Sequence, residues 1–347
     1  TLQTYLRSNF ITDAGLVLPG VSPGNPGNPD LKPERGTEFE AGFDAGFFRD
    51  RVGLELTYFN KVSKDLILPL PLPPSSGFAS NPLVNIGEVR NSGLEIGLRA
   101  TPIEGPRFVW DANLNINTLS NEIESMGSIT PFISNNQCFK PGIELAAWCV
   151  PVVLRVDTDA GQTIVSDTAR MAGGQLPKYG GSFSSTFTFL RAFRVFALVD
   201  GKFDYHVYNL TRDFRDRSLR NSAESQLPRG QGGYSAVDSL RRFGPFVTET
   251  GGTPVGTALV RGPYISDGDY VRFRELSLTW SVPSSLIRGI GLGGASLSVG
   301  GRNLGLWTKY DGFDPEVMGV ENTTPFLGDV FTMPQAKRMF ARLNVQF

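Results

Sequence analysis

The chain has 347 residues and a formal net charge of -1, with 33 lysines and arginines interspersed among 34 acidic residues. No basic block marks a nucleic-acid footprint, and no run approaches the roughly 18 consecutive apolar residues of a membrane helix. Charged residues are only 19%, against roughly 25% in average soluble domains, while 40 glycines, 24 prolines and 25 phenylalanines predict many strands joined by many turns, an all-β fold. The start, "TLQTYLRSNF", has neither an initiator Met nor a charged-then-apolar leader, so a processed chain or a piece of something longer is expected.

Strands are predicted wherever apolar and polar residues alternate, the period-2 signature of a ribbon with two different faces. In "TEFEAGFDAGF" Phe39, Ala41, Phe43, Ala45 and Phe47 oppose Glu38, Glu40 and Asp44. Val52, Leu54, Leu56 and Tyr58 follow in step, then Leu94, Ile96 and Leu98. In "FVWDANLNINT" the sides separate fully, with Phe108, Trp110, Ala112, Leu114 and Ile116 on one and Val109, Asp111, Asn113, Asn115 and Asn117 on the other. "GSFSSTFTF" sets Phe183, Phe187 and Phe189 against Ser182, Ser184, Thr186 and Thr188. A strand over roughly 193–209 sets Phe193, Val195, Val199, Phe203, Tyr205 and Val207 against Arg194, Asp200, Lys202, Asp204 and His206. Leu276, Leu278, Trp280 and Val282 form the next face, then Ala295, Leu297 and Val299. The chain ends with Met339, Ala341, Leu343, Val345 and Phe347 in step.

Short connections, at 49–50, 102–106, 190–192 and 283–294, alternate with long ones, at 68–84, 121–176, 210–267 and 305–333. Structureless loops of that length are uncommon in compact soluble domains, whereas strands crossing a membrane up and down produce this alternation. The large aromatics Phe47, Phe108, Trp110, Phe189, Phe193, Trp280 and Phe347 fall close to a short turn or the chain end, which predicts a girdle at one height. A transmembrane antiparallel β-barrel, with its apolar face toward lipid and its polar face toward a wet interior, fits this better than a soluble β-sandwich with its apolar face inward.

Other chemistry is weak. Gly289, Gly291 and Gly294 form G-x-G-x-x-G, but a strand-like run follows where a phosphate-binding helix would have to start, so a flexible turn is expected. His206 is the only histidine, which rules out zinc sites with several His ligands, and it reads as a polar residue lining the interior. Asp311, Asp314 and Glu316 lack the spacing of a calcium loop and suit a turn capped by Asx hydrogen bonds. No metal, cofactor or catalytic group is read. Cys138 and Cys149 suit a local disulfide in an oxidising compartment, with two unrelated free thiols as the alternative.

The stretches "NPDLKPERGTEFEAGFDAGFFRDRVGLELTYFNKVSKDLI", "NIGEVRNSGLEIGLRATPIEGPRFVWDANLNIN", "GDYVRFRELSLTWSVP" and "SVGGRNLGLWTKYDGFDPEV", together with the terminal Phe347, closely resemble the C-terminal part of the barrel of TonB-dependent outer-membrane receptors of the SusC/RagA type. The resemblance implies a 22-stranded barrel in a Gram-negative outer membrane, importing a nutrient with energy passed through TonB. It also implies a SusD-like surface lipoprotein that lids the barrel. The family's plug domain and TonB-contacting segment are not recognisable, so residues 1–347 are expected to hold about the last nine or ten strands. Phe347 resembles the carboxy-terminal signal read by the outer-membrane assembly machinery. On this reading Asp111, Asn113, Asn115, Asn117, Ser184, Thr186, Asp200 and Asp204 line the path of a polar solute, a sugar or peptide, and the partners are lipid, the TonB complex and the lipoprotein, with no nucleic acid.

Overall fold

A computed structural model describes residues 3–11, 15–78, 80–219, 223–228, 231, 233–252, 260–287, 289, 291–316, 319–320 and 327–347. Nine strands run up and down in one antiparallel sheet: β1 (Arg35–Phe47), β2 (Val52–Pro69), β3 (Leu83–Glu104), β4 (Phe108–Thr118), β5 (Tyr179–Phe189), β6 (Phe193–Phe203), β7 (Tyr270–Ser281), β8 (Gly294–Thr308) and β9 (Arg338–Gln346). Each pairs with the next in sequence order, and Ser120–Ser125 carries on from β4 along β3.

The register keeps like with like. One row passes through Ala45, Leu54, Leu98, Leu114, Phe183 and Val199, all on the apolar face. The neighbouring row, on the other face, passes through Asp44, Glu55, Gly97, Asn115, Ser182 and Asp200. Because the side-chain period is 2, a slip of one residue between two strands would put charge on the apolar face, so the pattern itself specifies the pairing. Bulges between Ala100 and Ile103 and between Phe273 and Glu275 shift the parity within their strands, and the faces stay continuous across them.

Apolar residues of the sheet are exposed, including Phe43 (53%), Phe183, Leu278 and Leu343 (67%). A sandwich would cover this face with a second sheet, and none of the described residues does so. The enclosed cores lie instead around the long connections. Leu68, Ile86 and Val89, on the extended ends of β2 and β3, pack with Ile123, Met126 and Phe139. Trp148, Tyr208 and Tyr264 form a second core, and Tyr205, Val207, Tyr270 and Tyr310 a third. Within the wall, Gly93 lets β3 and β4 approach closely, since a Cβ there would stand 2.0 Å from the Thr118 carbonyl oxygen.

The four long connections, now bounded as 70–82, 119–178, 204–269 and 309–337, lie at one end of the sheet and the short turns at the other. They are not structureless: they carry small sheets of their own, built from Phe132–Ser134, Gln137–Phe139, Ala147–Val150 and Arg170–Gly173 in one case and from His206–Asn209, Ile265–Asp267, Gly319–Val320 and Leu327–Asp329 in another. Cys138 and Cys149 are joined by a disulfide within the first of these, with Cα atoms 5.4 Å apart. The strand expected over 193–209 is two strands. It breaks at Asp204, where φ is 59°, and the chain restarts at His206 in the loop sheet. His206 therefore lies outside the main wall, its carbonyl accepting from Trp148 Nε1 at 2.9 Å. At the glycine-rich turn Gly291 has φ of 76° and a strand follows, with no helix placed to meet a phosphate.

Candidate functional site

Six of the eight expected lining residues share one patch on the polar face of β4 and β5. Asp111 stands opposite Thr186, Asn113 opposite Ser184, Asn115 opposite Ser182 and Asn117 opposite Gly180. Asn115 Nδ2 donates to Ser182 Oγ at 3.3 Å, and Thr101 Oγ1 donates to Asp111 at 2.8 Å. Beside them Glu55, Thr57, Glu95, Asn115 and Asn117 line a recess of about 240 Å³. Short amides and hydroxyls of this kind offer both donors and acceptors to a hydrated solute.

The other two are held in ion pairs, Asp200 on the polar face beside Ser182 and Asp204 just beyond it. Asp200 is not an open acceptor: Arg274 Nε donates to it at 2.7 Å, and Arg274 also reaches Glu316 at 2.9 Å. Glu316 pairs with Arg272 at 3.1 Å, and Arg272 with Asp314 at 2.5 Å, both side chains of that last pair being only 3% exposed. Asp204, past the end of β6, pairs with Lys178 at 2.9 Å, which holds the Lys178 ammonium above its ordinary pKa. The Asx turn expected in "KYDGFDPEV" is present, since Asp314 Oδ1 accepts from the Glu316 N–H at 3.1 Å. Sequence reasoning does not foresee that the same carboxylate clamps β7 through Arg272, 42 residues away.

Nor is the polar face uniformly neutral. Across β1–β3 it carries Glu38, Glu40, Asp44, Glu55 and Glu95 against Lys61 and Arg99. Across β6–β9 it carries Arg194, Lys202, Arg272, Arg274, Arg302, Arg338 and Arg342 against Asp200 and Glu275. The amide-and-hydroxyl strip of β4 and β5 separates an acidic flank from a basic one. Pairing order produces this polarity, which a reading strand by strand does not display.

On the apolar face, the aromatics expected to form a girdle are drawn together by register. Phe108, Phe189, Phe193 and Trp280 make one cross-strand row, with Phe108 and Phe189 centroids 5.1 Å apart and Phe193 stacked on Trp280 at 6.4 Å. Trp110 stacks on Phe187 at 5.8 Å one rung further in, and its Nε1 donates to Ser185 Oγ at 2.8 Å, giving that outward hydroxyl a partner. Phe47 lies in a different row, with Val52, Ala100 and Ala112, but also at the turn end of its strand, and Phe347 follows β9 there. A second aromatic set escapes the reading of turns alone: Phe39, Tyr179, Phe203 and Trp307 stand exposed toward the opposite ends of their strands. From Phe193 to Phe203 the strand rises about 33 Å, or about 24 Å at a tilt near 45°, which matches the apolar band of an outer-membrane barrel.

Above the wall, the 204–269 connection encloses charge among aromatic rings. Asp213 and Asp216 are buried, Tyr208 Oη donates to Asp213, and Arg212 and Arg242 both approach Asp216, at 3.6 and 3.5 Å. Burial and the Asp213 carboxylate push the Tyr208 phenol far above its usual range, so it stays a donor. An adjoining recess of about 290 Å³ is lined by Asn209, Arg212, Arg215, Glu224, Tyr310 and Asp311, among others.

A single wall with an exposed apolar face of membrane height and a polar reverse face is the geometry of a barrel segment. The family model "TonB dependent receptor-like, beta-barrel" matches residues 4–304. The chain belongs to this family. It is 26% identical to TonB-dependent receptor P26 of Formosa agariphila, over all of the chain and 38% of that protein. It is 32% identical to TonB-dependent receptor SusC of Bacteroides thetaiotaomicron, over 28% of the chain and 10% of that protein. Among solved structures, one described as the RagAB peptide transporter superposes with a TM-score of 0.74 at 20% identity, covering all of this chain and 38% of that one, a likeness of fold. The chain thus spans about 38% of the length of P26. TonB-dependent receptors reside in the outer membrane of Gram-negative bacteria, and the chain is an outer-membrane β-barrel segment of this family. Membership of a receptor and transporter family implies a non-enzymatic role.

Proposed function

We propose that this chain is the C-terminal wall of a TonB-dependent importer that carries a polar nutrient, an oligosaccharide or a peptide, across the outer membrane. The observation that carries the reading is the two-sided sheet, with exposed Phe43, Phe183 and Leu278 on one face and Asp111, Asn113, Asn115, Asn117, Ser184 and Thr186 on the other. In this arrangement the apolar face meets lipid, where every backbone group must be paired within the sheet, and the polar face borders a wet path. The neutral strip on β4 and β5 suits hydroxyl-rich or amide-rich solutes. Its acidic and basic flanks also suit a peptide that carries both charges.

The plug and the TonB-contacting segment belong to the longer protein of which 1–347 is the C-terminal part. A SusD-like lipoprotein covers the long-connection end and delivers the solute; the likeness to SusC and to the RagAB fold supports this partner. Phe47, Phe108, Trp110, Phe189, Trp280 and Phe347 form the girdle at the short-turn end, and Phe347 also serves as the assembly signal. The test is uptake by cells carrying the full-length parent protein, offered labelled oligosaccharide and peptide pools, with and without a protonophore. Energy-dependent depletion of one pool that disappears in a deletion strain is expected. Equal depletion in the deletion strain would sink the import reading.

A further inference from the structure

The basic flank of the polar face is covered toward the long connections. From mid-strand to that end, β6, β7 and β8 carry Lys202, Arg272, Arg274 and Arg302 against Asp200 and Glu275 on this face, an excess of two cations. The 309–337 connection folds back over the sector. Its Tyr310 packs with Tyr205 and Tyr270, the latter only 2% exposed, and its Pro315 carbonyl accepts from Tyr205 Oη at 3.2 Å. Asp314 and Glu316 of this strap are the two carboxylates that cancel the excess. Glu316 accepts from Arg274 Nη1 at 3.0 Å and faces Arg272 Nε at 3.1 Å, and Gln335 Nε2 donates to Glu316 at 3.1 Å. Arg302 is already held by Glu275 at 2.7 Å.

The acidic flank has no such cover. Glu40, Asp44, Glu55 and Glu95 are exposed, and among the described residues none of them meets a cation within ion-pair distance. Lys61 is held by Glu38 at 3.5 Å, and Arg99 stands one rung nearer the short turns than Glu55. The exposed strip of Asn113, Asn115 and Asn117 therefore has unpaired carboxylates on one side and neutralised arginines on the other. Exposed arginines without an ion pair, Arg194 and Arg342, share a row with Thr279 and Ser298 in the short-turn half.

We propose that the strap is a charge filter: by neutralising Arg272 and Arg274, Asp314 and Glu316 leave the long-connection half of the path acidic, so that neutral or amine-bearing groups enter it in preference to carboxylate, sulfate or phosphate groups. The inference rests on the import reading. Asn115 lies two strand spacings, about 10 Å, from Glu55 on one side and from Asp200 on the other, and charges act over about that distance at 0.1 M salt. A solute that carries both charges meets acid first and free arginine deeper. Glu316 and Asp314 are thus specificity-determining residues supplied by a connection and not by the wall.

The test reads the local potential and needs no knowledge of the solute. Asn115→Cys is introduced into the full-length parent protein with the Cys138–Cys149 bond intact, and labelling of the parent without the substitution is subtracted. Intact cells in low-salt sucrose receive cationic trimethylammonioethyl or anionic sulfonatoethyl methanethiosulfonate, and the ratio of rates is divided by that for free mercaptoethanol. A normalised ratio of at least about fourfold toward the cationic reagent is expected, since one uncompensated carboxylate about 10 Å away in water changes each rate about twofold, in opposite directions. E316Q should lower the ratio about fourfold, R274Q should raise it about fourfold, and R274Q/E316Q should restore it. R274Q decides the matter alone where E316Q fails to reach the membrane. A normalised ratio at or below one, or a ratio that R274Q leaves unmoved, overturns the filter while the wall stands. No reaction with either reagent would show the strip closed to the outside and overturn the import path itself.

Discussion

In the wall, Phe183, Leu276 and Val299 point outward and stay exposed, while Arg272 and Asp314 are enclosed where the wall meets the 309–337 connection. In the loop layer, Trp148, Tyr208 and Tyr264 are enclosed, and their neighbours Asp213 and Asp216 are held among arginines. Aromatic and aliphatic residues are thus turned outward in one region and inward in the other. The physics is the same in both: apolar surface leaves water, by entering lipid in the wall and by folding onto itself above it. Enclosed Asp213, Asp216 and Asp314 are each paired with arginine, whereas enclosed Glu144 and Asp329 are held by N–H and hydroxyl donors.

The seam between the two regions should be the most sensitive place. D314A strips the buried Arg272 guanidinium of one of its two carboxylates and leaves it Glu316, and a loss of about 3 kcal/mol is expected in denaturant unfolding of the full-length protein in detergent. R272M/D314L, which removes both charges, should recover most of it. A D314A variant as stable as wild type would mean the seam is hydrated and the comparison false there.

A charge on each region's apolar residues sharpens the contrast. L276R places a cation near the middle of the lipid face and should destabilise by about 2–4 kcal/mol in bilayers. L154R, at a partly exposed loop-layer position, should stay within about 0.5 kcal/mol. Equal effects at the two sites would contradict a lipid-facing wall.

The disulfide acts on the loop layer alone. The cysteines are separated by 11 positions, and the chain-entropy description gives about 3 kcal/mol for closing so short a loop. C138S/C149S should therefore lose hydrogen-exchange protection across 132–173 and keep it along β5 and β6. Loss along the wall as well would show that the two regions fold as one.

The smallest expected effect is a pH response. Glu144 accepts from the Gln175 and Leu176 N–H groups at 2.7 and 2.8 Å, but burial outweighs these bonds and raises its pKa above the ordinary carboxylate value. A raised folded-state pKa means the folded form binds the proton more tightly than the unfolded one. The contribution to loop-layer stability is therefore fullest below the ordinary value and is lost as pH rises through the raised one. Protection at Gln175 and Leu176, corrected for intrinsic exchange, should fall over that window in wild type and stay flat in E144Q.

Much of the wall is legible in the sequence. Phe39 to Phe47, Phe108 to Ile116 and Phe183 to Phe189 announce their faces by alternation, and the turn-end aromatics stand beside short connections. The second aromatic set, Phe39, Tyr179, Phe203 and Trp307, is equally open to view as aromatics toward the far strand ends, once the membrane height is measured along each strand. For Asp200 and Asp204 the sequence shows less, because alternation assigns a residue to a face and says nothing of the partner waiting there. Arg274 and Lys178, the partners in question, come from other segments.

By itself the sequence determined which residues face lipid and which face water, because a period of two and the preference of each side chain for its solvent are local properties. Tertiary structure alone decided the loop layer, the clamp of Asp314 on Arg272, the contact of Tyr205 with the Pro315 carbonyl and the separation of acidic and basic flanks. Those features join residues tens to a hundred positions apart, and their energies depend on burial and distance, which exist only once the chain has folded.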